Sequence, residues 1–196
     1  MELSSQQNEQ QKELSQYMID VVGLDSSPTV FGWLLYRMSD FDRAERYAQY
    51  IIQQRLDETE KAAAYNLLGL IYSDRKNYKK SIEYYQQAIE IHGDCVRFVG
   101  PQIIAIHYNL SLAHLVDGDN RLAEDQRRIV DKLLAEYHAD LGRLRYERKE
   151  YELALEQFER SLKITTDATH EDRNIITELL RCIKEINNII DPLPSE

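Results

Sequence analysis

The sequence predicts an all-α chain, an α-solenoid of antiparallel helix pairs with a C-terminal capping helix. Two observations carry this. Only 7 Gly and 4 Pro occur in 196 residues, too few turn-formers for many short strands but enough for a few long helices. Three of the glycines also recur in matching contexts, Phe31-Gly32, Leu68-Gly69 and Leu141-Gly142. Each is followed by an aromatic and, three residues on, by a small residue: Phe41 with Ala44, Tyr78 with Ser81, Tyr151 with Ala154. A worn fourth copy reads Leu110-Ser111, then Gly118, then Asn120 and Ala123. A Gly on one helix and an Ala or Ser on the next let two backbones approach at the short end of the ~8–10 Å interaxial range. One such pair cannot bury its apolar face alone, so neighbours must stack.

The clearest copy runs Tyr65-Asn66-Leu67-Leu68-Gly69-Leu70-Ile71-Tyr72, then Tyr78, Ser81, Tyr85 and Ala88. It resembles the tetratricopeptide repeat, whose pattern is a large aromatic, Leu-Gly, Tyr, then Ala and Phe. Tyr65 stands in the tryptophan slot, Ser81 in the alanine slot and Tyr85 in the phenylalanine slot. The last copy fits with Leu141-Gly142, Tyr151, Ala154, Phe158 and Ser161. The first departs at Ala48 and Ile51; the third departs most, at Ser111, His114, Asn120 and Arg127. Successive Ala slots are 37, 42 and 31 residues apart (44, 81, 123, 154). The 42-residue unit is similar to the kinesin-light-chain type and to long multi-repeat arrays of invertebrates, some of which are joined to ADP-ribosyltransferase-like domains.

The elements follow in order. Residues 1–10 are polar and Gln-rich and read as disordered. Residues 11–22 place Leu14, Tyr17, Met18, Val21 and Val22 on one helical face. The array itself is expected over 11–190, with repeats near 25–58, 62–95, 104–134 and 135–168. Ser27-Pro28 opens the first helix, with Pro favourable in a first turn. Its partner runs from about 42 to 56. The second pair covers about 59–75 and 78–92, and Gly93 is a natural stop. Gly100-Pro101 opens the third pair. The 31-residue spacing is shorter than the ~34-residue unit and leaves no room for a turn. No Gly or Pro occurs between Asp119 and Leu141, while Val130, Leu133, Leu134, Tyr137, Leu141 and Leu144 keep helical spacing throughout. One continuous helix over about 120–148 is therefore expected. The cap helix spans about 170–190 with Ile175, Ile176, Leu179, Leu180, Ile183, Ile186 and Ile189, and Asp191-Pro192 ends it, leaving 191–196 as a tail.

Composition and motifs exclude most chemistry. The net charge of −10 is diffuse, and neither nucleic acid nor an anionic membrane suits it as a partner, since both need clustered Lys and Arg. No apolar run approaches membrane-spanning length. The basic runs 75–80 and 143–149 are interrupted and read as cations at helix C-termini. Cys95 and Cys182 are far apart and read as free thiols of a cytoplasmic protein. The chain has no phosphate-loop glycine cluster, no Gly-x-Ser-x-Gly and no His-Glu-x-x-His. His107 and His114 are seven apart, but no Cys or carboxylate completes a metal set, and the histidines read as surface or groove residues. Cys182 lies among isoleucines and reads as core, not nucleophile. No catalytic residue, metal or cofactor is assigned.

The resemblance implies that the first helix of each pair lines a concave groove. Its facing positions here are Thr29, Trp33, Tyr36 and Arg37; Asn66, Leu70 and Ser73; Asn109 and Leu112; Arg143 and Tyr146. Groove asparagines can grip a peptide backbone through donor and acceptor, and Trp, Tyr and Arg are common hot-spot types. Trp33 either faces this groove or packs under the N-terminal helix. The groove lacks the Lys, Arg and Asn cluster that grips acidic C-terminal tails, with Thr29, Leu70, Ala105 and Leu112 at several facing positions. The expected function is a scaffold or adaptor that holds a peptide or helix of a partner protein, without catalysis. Two alternatives stand beside it: a regulatory segment of a larger or multi-subunit enzyme, ADP-ribosyltransferase-like for example, and a protein that self-associates because its stacking is disrupted at 120–148.

Overall fold

The computed structural model describes residues 28–93, 100–167 and 173–191. Among these residues all regular structure is helical. The helices are α1 (Thr29–Arg37), α2 (Phe41–Gln53), α3 (Glu58–Asp74), α4 (Tyr78–Gly93), α5 (Pro101–Asp117), α6 (Asn120–Glu147), α7 (Tyr151–Asp167) and α8 (Arg173–Ile190). The expected disordered start, the helix at 11–22, the tail after Asp191 and Cys95 lie outside the described residues. The chain divides into two compact units, Met1–Cys95 and Val96–Glu196.

Every first helix ends the same way. Ser39, Lys76 and Lys149 adopt φ near +60° and Gly118 adopts φ +95°. Each lies seven residues after the glycine-slot residue, Gly32, Gly69, Gly142 or Ser111. The two backbone bonds of a Schellman motif close each turn. In the second pair Lys76 N–H donates to Ser73 O at 2.9 Å and Asn77 N–H to Tyr72 O at 2.8 Å. The same two bonds recur at Ser39 and Asp40, Gly118 and Asp119, and Lys149 and Glu150. The next residue then caps the second helix: Asp40, Asn77 and Asp119 accept from the backbone N–H of Arg43, Lys80 and Leu122.

The helices of a pair meet at the glycine slot. A Cβ on Gly69 would run into the Tyr85 ring, and one on Gly142 would lie 3.0 Å from the Phe158 ring. Tyr85 and Phe158 are buried. The first pair has Ala48 in that aromatic slot, and Tyr47, one residue earlier, supplies the ring, 3.2 Å from a Cβ on Gly32. Ser81 Oγ–H donates to Gly69 O at 2.8 Å in the same buried contact, which accounts for Ser in an alanine slot. A second contact recurs between residues nineteen apart. Tyr47 O–H donates to Pro28 O at 3.0 Å, and the Tyr65 and Tyr84 rings stack at 6.3 Å. His107 Nδ1–H donates to Gln126 Oε1 at 2.7 Å and His138 Nδ1–H to Gln157 Oε1 at 2.8 Å. The worn third copy is thus a true helix pair, joined by the same His–Gln hydrogen bond as the fourth.

In the first unit α1 and α2 stack on α3. Leu35, Ala44, Ala48 and Ile51 share a core with Ala64, Leu67, Leu68 and Ile71. In the second unit α5 packs on α6, α6 on α7 and α7 on α8. The continuous helix expected over 120–148 is present as α6, 28 residues long. Gly100 caps α5 with Pro101 in its first turn, as expected. The second helix ends at Gln53, not near 56, because Gln54 is extended and Asp57 already caps α3 by accepting from Glu60 N–H at 2.9 Å. The cap helix α8 buries Leu179 and Ile186 beside Ala139, Ala154 and Phe158, with Ile175, Cys182 and Ile183 packed against them. Leu180 and Ile189 of the expected stripe are exposed, since one face of α8 packs on the described residues and these two lie beside it.

Two outcomes are expected in urea denaturation. Gly69→Ala destabilises by about 1–3 kcal/mol, as overpacking does, and adding Tyr85→Leu recovers part of that loss. Lys149→Gly stabilises by about 1 kcal/mol, because a left-handed conformation costs an L-residue that much and glycine almost nothing.

Candidate partner-binding surface

The sequence-derived facing residues of the first unit come together on α1 and α3. Two ties hold these helices side by side. Thr29 N–H donates to Glu60 Oε2 at 3.3 Å near one end, and Tyr36 O–H donates to Asp74 Oδ2 at 2.7 Å near the other. Trp33 and Tyr36 are half-buried against the core and meet edge to face at 6.0 Å. Arg37 is exposed, Leu70 and Ser73 are half-buried, and Asn66 is buried. Thr29 is also buried. A segment that could cover Trp33 from the N-terminal side lies outside the described residues.

In the second unit the facing residues are not gathered in one place. Asn109, half-buried, and Leu112, exposed, lie on α5. Arg143 and Tyr146, both exposed, lie near the far end of α6, and Arg143 is ~35 Å along the helix from Asn120 at 1.5 Å per residue. Arg143 pairs with Asp140 at 2.7 Å and Tyr146 meets Tyr151 edge to face at 5.6 Å. The unbroken helix is the cause: it carries the fourth first helix away from the third pair.

A polar cluster that the sequence did not point to joins α2 to α3. Glu45 accepts from Tyr72 O–H at 2.7 Å and from the Arg75 guanidinium, which also holds Asp42. The Lys80 ammonium sits 5.0 Å from the centre of the Tyr72 ring. Burial alone would raise the Glu45 pKa, but the bonds from Tyr72 and Arg75 outweigh it and hold the carboxyl below its ordinary value. Tyr72 is pushed up to about 12, first by its hydrogen bond to Glu45 and then by burial. Tyr36 is also pushed up to about 12, first by burial and then by Asp74. The basic run 75–80 therefore does not lie wholly at a helix C-terminus. Arg75 and Lys76 end α3, whereas Lys79 and Lys80 sit in the first turn of α4, where the Tyr72 ring holds Lys80. A signal was present in the spacing: Asp42 and Glu45 share a helical face three apart, as do Tyr72 and Arg75.

The histidines differ from expectation as well. His107 and His114 are buried inside the third pair, not on its surface, and His107 is held there by its hydrogen bond to Gln126 of α6. Burial pushes the Cys182 thiol up. No group of three or more His, Cys, Asp or Glu side chains among the described residues could hold a metal ion. No described helix is long and apolar enough to cross a membrane.

The Glu45 carboxyl titrates lower in the folded than in the unfolded chain. Its contribution is present above the ordinary carboxylate pKa and is lost as pH falls through the depressed value. Glu45→Gln is therefore expected to destabilise the protein by about 1 kcal/mol at pH 7, with the difference shrinking in denaturation curves as pH falls below the ordinary carboxylate range. Tyr36 and Tyr72 have the opposite sign: their contribution is intact below pH 10 and is lost as pH rises toward 12.

Residues 62–95 match the tetratricopeptide repeat family. No curated protein matches the chain in sequence. Among solved structures the chain is similar to BtubC (BKLC) from P. vanneervenii, with 19% identity over 95% of this chain and 81% of that one and a TM-score of 0.51. It is also similar to the nearly identical TPR-like repeats of a Podosopora anserina putative kinesin light chain, with 14% identity over 85% of this chain and 96% of that one and a TM-score of 0.47. Tetratricopeptide repeats mediate protein–protein interaction. Residues 62–95 are thus a tetratricopeptide repeat by sequence, and the same helix-pair contacts recur in the three other pairs, so the fold is an α-solenoid of such pairs.

Proposed function

We propose that this chain is an adaptor that holds a peptide or helix of a partner protein on the surface built by α1 and α3, with no chemistry of its own. The observation that carries the reading is the double tie of α1 to α3, Thr29 to Glu60 and Tyr36 to Asp74. These ties present Trp33, Arg37, Leu70 and Ser73 from a preorganised pair of helices, which lowers the ordering cost of binding. A half-buried Trp and Tyr beside an exposed Arg is the residue mixture common in binding hot spots. Asn66 and Asn109 remain candidate backbone grips on the strength of the family resemblance, as do Leu112, Arg143 and Tyr146 as contacts in the second unit. The cytoplasm is the compartment this reading assigns, on the ground of two cysteines far apart in the sequence.

Capture experiments with the full chain and the variant Arg37→Glu/Leu70→Lys test the reading, with helicity checked by circular dichroism. Partner recovery is expected to fall about tenfold or more, the effect of losing a hot spot. Equal recovery of every partner by the folded variant would remove this surface as the site. An enzyme subunit among the lost partners would make the adaptor a regulatory one.

A further inference from the structure

The second unit lacks the junction that closes the first. In the first unit a four-residue connection, Gln54–Asp57, turns the chain so that α3 comes back beside α1 and α2. From the third to the fourth pair the Ala-slot spacing is 31 residues against 37 there, six fewer. The turn is gone and α6 runs straight through. Its last half continues antiparallel to α5 and moves away from it, so the parallel contact that α1 makes with α3 has no counterpart of like extent among the described residues of this unit.

Both halves of that missing junction stand open. On α5 the face Tyr108, Leu112, Leu115 and Val116 is 52%, 42%, 52% and 57% exposed, at the spacing of one helical face. Counted from the glycine slot, Leu112 and Leu115 correspond to Trp33 and Tyr36, which pack against the core shared with α3. On the last half of α6, Tyr137 and Leu144 correspond to Ala64 and Ile71, both wholly buried where the first pair stacks. Leu144 is 43% exposed. The other side of this half is already occupied by α7 and α8.

We propose that two copies of this chain complete the junction for each other by reciprocal exchange. The α5 face of one copy stacks on the last half of α6 of a second copy, and the reverse, with the two α6 helices antiparallel. The two open faces are the complementary halves of one repeat junction, held on a single helix that keeps them apart. A second copy satisfies both at once in a closed two-fold assembly. The charges on α6 agree with that pairing. An antiparallel pair centred on Leu134 sets Asp125, Arg128 and Lys132 of one copy opposite Arg143, Asp140 and Glu136 of the other. All three pairs are of opposite sign, and the ion pairs already made along each α6, Arg128 with Glu124 and Asp125 and Arg143 with Asp140, join across the two copies in one network in this register. The first three of these residues lie on one face at helical spacing, as do the second three.

Light scattering of the full chain, from micromolar to near-millimolar concentration, tests the proposal. The expected mass is twice 23.1 kDa. Inserting a six-residue Gly- and Asn-containing turn after Lys132 restores the missing connection and is expected to yield a monomer with unchanged helicity. Charge reversal covers the case in which the insertion fails to fold. Arg128→Glu and Asp140→Arg are each expected to weaken the dimer about tenfold, and the two together to restore it. Three results would overturn the proposal: a wild-type chain that stays monomeric at the highest concentration, a folded insertion variant that stays dimeric, or reversals whose combination recovers nothing.

Discussion

Everything else in this protein depends on how closely two helices can approach within a pair. The glycine slot sets that distance. At Gly69 and Gly142 the missing Cβ is replaced by the ring of Tyr85 or Phe158, and at Gly32 by Leu67 of the next pair together with the Tyr47 ring. The ring fills the space and the backbone stays close, so each pair has one geometry and not a range. The recurring left-handed residue seven positions later then turns the chain at a fixed angle. Because the approach, the turn and the cap are set locally, the pair tolerates much change elsewhere. The third copy shows this most clearly. Its slots hold Ser111 and Arg127, yet the His107–Gln126 bond joins the same two positions that a pair of tyrosines joins in the second.

Stacking between pairs is held by different means. The first unit combines a shared apolar core with polar ties at its margins: Glu60 to Thr29, Asp74 to Tyr36, and Glu45 to Tyr72 and Arg75. The ties add direction, which apolar burial does not supply. They keep α1 and α3 in register, and with them the side chains offered to a partner. In a chain of net charge −10 these carboxylates are engaged with hydroxyl, guanidinium and backbone donors, so part of the acidic excess serves the stacking.

In the second unit the connection between pairs is shortened, and the pairs themselves are unaltered by it: α7 packs on the last half of α6 through Gly142 and Phe158 as α4 packs on α3. The change is in which pairs can meet. A helix of 28 residues spans ~42 Å and fixes its two ends far apart, so both stacking faces are presented outward. Local pairing and long-range stacking are separable in this fold, because the first is set by slots within about 35 residues and the second by the length of the link.

The sequence alone determined the helix pairs, their order, the Gly100-Pro101 start of α5 and the unbroken α6. These are local matters: breaker residues, slot spacing and apolar periodicity act within one or two helices and can be read along a single stretch of chain. It also set Trp33, Tyr36, Arg37, Asn66, Leu70 and Ser73 on the first helices of two adjacent pairs, which are α1 and α3. It did not reveal that Glu45 meets Tyr72 and Arg75, that His107 and His138 each bond a glutamine nineteen residues on, or that Arg143 and Tyr146 stand far along α6 from Asn109 and Leu112. Those contacts depend on side chains from separate helices reaching a common point, which spacing along the chain does not show. Tertiary structure decided them because the choice of side-chain partner depends on how two helices face each other, within a pair for the histidines and between stacked pairs for Glu45.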